Sequence, residues 1–268
     1  MTPALDLSFR LGSDGRTVLA GRRVRHPFSV QAPLWDVRGR PACARVFIQS
    51  TSGGIFSGDR INQRVAALAG AELRVEMPAA MVVHAMRDGG SSSQRVELVA
   101  EAGSRLEFLP LPLILFPDSR LDQEVRVVAD PEARLLVADG FMMHGPARSG
   151  GSFERFRGTL RLERPDGRLV MLDRMEALGQ TVLDGLPGVT GAEQALGSLL
   201  LVGTIDAADA RRRCREIQAV LDGQEVAGGA TPLRQGSGLL VRMLARDGGA
   251  LVQAQAALVP LLRGMLHG

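Results

Sequence analysis

RVAALAGAELRV at 64–75, RVELVAEAGSRLEF at 95–108 and EVRVVADPEARLLV at 124–137 decide the fold of this chain. The three stretches begin 31 and 29 residues apart, and each holds two short alternating apolar runs about a small turn at Gly70, Gly103 or Pro131. Alternation with period two sets Val96 and Leu98, or Val125 and Val127, on one face while Glu97 or Arg126 points away, which is the signature of strands and not of helices. A fourth pair, GTLRLERPDGRLVML at 158–172, turns at Pro165-Asp166-Gly167, where proline presets φ and glycine supplies a positive one. Strand units repeated at this spacing predict a stacked architecture in which neighbouring units bury one another's apolar edges. A β-sandwich of similar hairpins is the alternative, and 32 glycines in 268 residues suit either many-turn design.

The last third changes character. Asp206 is a natural N-cap for a helix over 207–221, with Ala210, Cys214, Ile217 and Leu221 on its apolar stripe and four arginines largely off it. A second helix is expected over 249–266 on Leu251, Leu258 and Leu262, kinked by Pro260, and the run Gly238–Leu244 between the two reads as a strand. The expected fold class is mainly β, of stacked strand units like a β-helix or solenoid, with two α-helices in the C-terminal region. No linker is evident, so residues 1–268 are expected to form one domain.

Composition narrows function by exclusion. At 45% hydrophobic and 23% charged the chain is ordinary for a folded protein and long enough for a large core. There are 32 basic and 29 acidic residues, a net charge of +3, and no lysine or tyrosine, so every basic residue is arginine. The sequence pI near 9.9 therefore reports a flat titration curve and not a basic surface. With 4% aromatics and arginines interleaved with acids, nucleic-acid binding is not expected. Without lysine, neither a phosphate loop of the GxxxxGK[ST] type nor a Schiff base can be built. Two cysteines 171 positions apart have no metal or redox spacing and fit a reducing compartment. The N-terminus carries Asp6 and Arg10 where a signal peptide needs an apolar core, and no stretch approaches 18 consecutive apolar residues, so a soluble, cytoplasmic protein without a membrane partner is expected.

Candidate chemistry is sparse. STSGGIFSGDRI at 50–61 places Gly53, Gly54 and Gly58 ahead of Asp59, whose carboxylate either caps a turn or faces a ligand. No helical pattern follows, so this is no dinucleotide fingerprint. His26, His84, His144 and His267 form no local metal clamp, but His84 and His144 fall 11 and 9 residues after Leu73 and Leu135 in their repeats and are placed to share a face of a solenoid. There is no GxSxG nucleophile elbow, and one tryptophan leaves sugar-cleaving chemistry without stacking platforms.

Several of these segments carry a family resemblance. GGIFSGD at 53–59, MPAAMVVHAMR at 77–87, EFLPLPLILF at 107–116 with Pro110 and Pro112, the loop from Gly145 through Gly150 to Phe153, and the terminal GLLVRML before a helix resemble, in order, the urease accessory protein UreD family, called UreH in some systems. The resemblance implies a β-rich, helix-capped scaffold without turnover of its own. It would bind UreF and through it the GTPase UreG, dock on urease apoprotein, and pass nickel along an interior route, holding no cofactor tightly. Asp59 matches the motif carboxylate and is expected to line or shape that route, with His84, His144 and Glu154 as further oxygen and nitrogen donors. Ligands that release nickel readily suit a conduit, since four strong ligands would trap the ion. Two departures stand out. Pro146 and Gly151 occupy positions where the family usually has Arg and Glu, and Pro78, Met81, Val82 and His84 replace polar or aromatic residues. A β-solenoid interaction scaffold without nickel transfer is the second reading, and an uncharacterised hydrolase the third.

Overall fold

The computed structural model describes residues 2–35, 40, 42–87, 89–145 and 151–267, the side chain of His267 excepted. Its strands form two facing sheets. The first runs β2 (Thr17–Val24), β1 (Leu5–Leu11), β6 (Arg60–Ala67), β9 (Ser92–Ala100), β12 (Arg120–Ala129), β14 (Arg155–Glu163) and β15 (Leu169–Leu178). The second runs β3 (Phe28–Val30), β5 (Ala44–Ser50), β7 (Glu72–Met77), β10 (Arg105–Pro110), β13 (Arg134–Met143), β16 (Ala195–Val202), β18 (Gly238–Ala245) and β17 (Ala227–Pro232). Short strands β4 (Leu34–Trp35), β8 (Val82–Val83) and β11 (Leu113–Leu115) attach to the second sheet.

The repeats explain this arrangement. In each quoted stretch the two runs do not pair with each other. The first joins the parallel set β6, β9 and β12, and the second joins the parallel set β7, β10 and β13. The small turn between them is a corner from one sheet to the other, held at Gly70 by a left-handed φ of 70° and by its N–H on the Ala102 carbonyl of the next coil. One repeat is thus one coil of a solenoid, not one hairpin of a sandwich. Only the fourth pair is a hairpin, β14 and β15 lying antiparallel about the Pro165–Gly167 turn.

Inward residues of both sheets, among them Leu7, Val65, Leu98, Val127, Leu106 and Leu135, form the main core. Outward residues of the first sheet are charged. Asp6, Arg64, Glu97, Arg126 and Glu163 make a continuous row of ion pairs from strand to strand, at 3.2, 3.3, 2.5 and 2.8 Å in that order. The three partly exposed pairs contribute only ~0.2–1 kcal/mol each, Glu163 at the end being buried, but the row shows where the arginines go: onto carboxylates of the neighbouring coil.

The second sheet is covered on its outer face as well, which is why β13 and β16 read as nearly unbroken apolar runs. Three helices occur among the described residues: α1 (Gly179–Asp184), α2 (Ala207–Gly223) and α3 (Gly248–His267). Ile217 and Leu221 of α2 and Leu251, Leu258 and Leu262 of α3 pack on Leu199, Leu201, Leu239 and Val241 in a second core. Asp206 caps α2, its carboxylate accepting from the N–H groups of Ala208 and Asp209, both at 2.8 Å. Replacing Asp206 by Ala is expected to cost about 1 kcal/mol, read as a shift in the denaturant midpoint at unchanged slope.

Helix α3 runs on through Pro260, which lies on its exposed side together with Ala256 one turn earlier. The stretch Gly248–Leu266 is long and apolar enough to cross a membrane by length and composition, and its leucine stripe is buried against the second sheet. Cys43 and Cys214 are free thiols, and burial pushes Cys43 up to about 11, which keeps it protonated and unreactive.

Candidate functional site

Two features of the solenoid gather the chemistry-bearing residues. The first is a column of rings. Ile55, Val83, Leu115 and Met143 are buried at matching positions of successive coils, joined in parallel register. The residue after each turns outward, so Phe56, His84, Phe116 and His144 stack along the solenoid axis. Ring centroids lie 4.4, 5.4 and 3.9 Å apart in sequence, with the outer two contacts nearly parallel at 6° and 19°. The similar offsets of His84 and His144 in their repeats therefore do place them on one face. Phe116 stands between them, however, and the two imidazoles do not converge.

The Gly53–Asp59 loop carries the first ring. Gly54 has φ of 141°, and a Cβ there would fall 2.3 Å from the Val82 carbonyl and 3.1 Å from the His84 ring, so only glycine lets the loop close onto the next coil. His84 Nε2 donates to the Gly53 carbonyl at 3.0 Å, which assigns the ring proton to Nε2. Gly58, at φ of 86°, turns the chain, and the Asp59 carboxylate accepts from the Phe56 N–H at 2.8 Å while the Asp59 N–H donates to the Phe56 carbonyl at 3.0 Å. Asp59 is thus bonded into its own turn. Asp59→Ala is expected to cost ~0.5–1.5 kcal/mol by removing the acceptor of that exposed turn N–H, with the loss read as a lowered thermal midpoint.

The other sequence candidates sit near this face. The Glu154 carboxylate, half-exposed, pairs with Arg120, which also donates to the Gly89 carbonyl at 2.6 Å. Pro110 ends β10 beside Met77, and buried Pro112 makes the corner into β11. Gly145 is exposed with φ of 20°. Gly150 and Pro146 lie outside the described residues. Among the described residues no three of His, Cys, Asp and Glu come together as a metal-binding group.

The second feature is interior and was not anticipated from the sequence. A cavity of about 30 Å³ lies between the sheets, with Gln63, Gln94, Gln123 and Asp139 among its lining. That is room for about two water molecules. The Gln123 amide donates to Gln94 Oε1 at 3.2 Å, and the Gln94 amide reaches Met81 Sδ at 3.7 Å. Both polar ends of Gln63 and the Gln123 carbonyl oxygen are buried without a protein partner. Orphaned groups of this kind are expensive unless water or an ion satisfies them. Asp139 is enclosed by protein yet keeps some accessible surface because it borders the cavity. Burial pushes its carboxyl up to about 6, against the Gly140 N–H and the Gln123 side chain, which pull it down. At neutral pH the cavity thus holds one negative charge beside neutral amide oxygens, an environment that favours a cation.

A coiled pair of sheets with helices over one of them and a polar chamber inside defines the class: a helix-covered β-solenoid with a small polar cavity between its sheets. A UreD urease accessory protein family model matches residues 2–268. The chain belongs to the UreD family. It is 34% identical to "Urease accessory protein UreD 1" of Pseudomonas syringae pv. syringae (strain B728a), over 98% of this chain and 91% of that protein. It is also 34% identical to "Urease accessory protein UreD 3" of Bradyrhizobium sp. (strain ORS 278), over 91% and 84%. With "Urease accessory protein UreD 1" of Methylorubrum extorquens (strain PA1) it shares 32% identity over 95% and 85%.

Proposed function

We propose that this chain acts in the cytoplasm as a urease maturation factor without turnover of its own. It scaffolds UreF, and through UreF the GTPase UreG, on urease apoprotein as a single unit, and it passes nickel to the urease active site through its interior. The observation that carries this reading is the cavity where Asp139 meets buried, unpartnered amide groups of Gln63 and Gln123. Carboxylate and amide oxygens hold nickel loosely, whereas thiolates would retain it. A space for about two waters admits the ion only after much of its hydration shell has been exchanged for protein oxygens.

In this reading Asp59 shapes the route by fixing the Gly53–Asp59 loop. His84, His144 and Glu154 supply nitrogen and oxygen donors along the same flank. Absence of an Arg and a Glu at Pro146 and Gly151 shifts the polar work to such neighbours.

Co-expression of the chain with urease subunits, UreF and UreG, followed by pull-down and nickel counting, tests the proposal. The expected result is one assembly containing all components and a urease rich in nickel. If the chain neither joins that assembly nor changes urease nickel content when deleted, the reading fails. A chain that joins but leaves nickel content unchanged would instead be an interaction scaffold.

A further inference from the structure

Among the described residues, strand β15 is the last strand of the first sheet and no strand pairs with its outer edge. Long edges are normally blunted by charge or proline, but this one is greasy. Six of the ten large hydrophobic side chains exposed among the described residues lie within 169–189: Leu169, Leu172, Leu178, Leu183, Leu186 and Val189. Beneath the edge is a pocket of about 450 Å³ whose apolar walls include Met175, Val182, Val189, Leu196 and Leu244. Apolar surface so concentrated marks an interaction site.

The facing sheet extends one strand further. Arg242 on β18 pairs with Asp173 on β15 across the gap, and β17 continues beyond β18. A strand added to β15 would therefore lie over β17, whose AGGATP sequence leaves space for inward side chains.

The outward charges name the chemistry of that strand. Arg95, Glu124, Thr159 and Arg174 lie in register across β9, β12, β14 and β15. Arg95 and Arg161 pair with Glu124, but the Arg174 guanidinium makes no ion pair or hydrogen bond among the described residues. The next position in this row calls for a carboxylate, with a neighbour on one side that covers Leu172; on the other side Glu176, already paired with Arg157, stands between it and Leu178. A second copy joined edge to edge about a two-fold axis would bring both projecting β17 strands to the same side and into the same space, so a second copy is not the occupant.

We propose that the β15 edge captures an extended segment of a protein partner in the urease maturation assembly, one that alternates apolar residues with a carboxylate facing Arg174, by strand addition. This rests on the assembly role proposed above and adds the surface and the form of the contact. The test is amide hydrogen exchange over residues 169–178 in the free chain and in the purified complex with urease apoprotein, UreF and UreG, together with Arg174→Glu, Arg174→Lys and Leu172→Asp. All three changes are at exposed side chains, and thermal midpoints verify folding. Strong protection of 169–178 in the complex is expected, with binding weakened roughly tenfold or more by Arg174→Glu and Leu172→Asp and retained by Arg174→Lys. A complex that forms while these amides exchange at their free rate, or that ignores Arg174→Glu, overturns the proposal and leaves the assembly role standing. Protection appearing in the free chain together with concentration-dependent dimerisation overturns it in favour of self-association. If no complex forms at all, both readings fall.

Discussion

Asp139→Asn is expected to make the protein more stable at pH 7, by about 2–3 kcal/mol, while lowering the nickel content of the urease it matures. The stability change follows from burial, which pushes the Asp139 carboxyl up to about 6 from 3.8. A carboxyl whose folded-state value lies above its unfolded one binds protons more tightly when folded, so it destabilises the fold wherever it is charged in both states. Each unit of displacement corresponds to about 1.4 kcal/mol. The penalty is complete above pH ~6, shrinks as pH falls toward ~4, and is gone below that. The wild-type chain should therefore gain stability relative to the variant on acidification through this window, and the variant should lack that slope. Asparagine keeps the oxygen that accepts the Gly140 N–H at 2.8 Å and removes only the charge. Denaturant titrations of both proteins at pH 4, 5, 6 and 7 read the first effect, and metal analysis of co-expressed urease reads the second. Equal stability at all four values would show that Asp139 is not held in a low-dielectric site. Normal nickel content in the matured urease would remove it from the route.

Gly54→Ala is expected to be the most damaging single change in the ring column, at about 2–4 kcal/mol. Its added methyl would meet the backbone carbonyl of Val82, which cannot swing aside as a flexible side chain can, in a conformation that alanine rarely adopts. The coil must open there, breaking the Ile55–Val83 bridge and the bond from His84 to Gly53. The check is a thermal midpoint lowered by several degrees, with faster amide exchange at Ile55 and His84. Gly58→Ala makes a useful contrast, since a Cβ at Gly58 meets nothing within 4 Å and the cost there is confined to its φ of 86°.

The coils were readable because each repeat states the same alternation twice. What alternation cannot show is which strand neighbours which, so the repeats alone left solenoid and sandwich both standing. The turn residues look alike in a hairpin and in a corner, and only the contacts between coils tell them apart. The helices were readable from Asp206 and the leucine stripes, whereas short α1 has neither an N-cap side chain nor enough length to show a period.

Within the site, offsets of 11 and 9 residues from the repeats, alike in parity, placed His84 and His144 on one face, but the intervening Phe116 belongs to a different repeat and no spacing rule flags it. The glutamines were hidden in plain view. Gln63, Gln94 and Gln123 each stand one residue before a quoted repeat, at the same inward parity as Val65, Val96 and Val125. A polar residue recurring at a core parity is the available signal. Asp139 shows the same parity signal, standing in line with inward Leu135 and Val137, but only once and inside an apolar run of β13, so nothing in the repeats singles it out.

The alternation of Asp6, Arg64, Glu97, Arg126 and Glu163 along the outer face constrains how such a protein can lengthen or shorten. Across β1, β6, β9 and β12, where these charges stand in direct register, duplication or loss of one coil would set like charge against like at the seam, and only an even number of coils can be gained or lost there without that conflict. The surface therefore keeps a parity count, and relatives of different length should differ by two turns of the spiral more readily than by one.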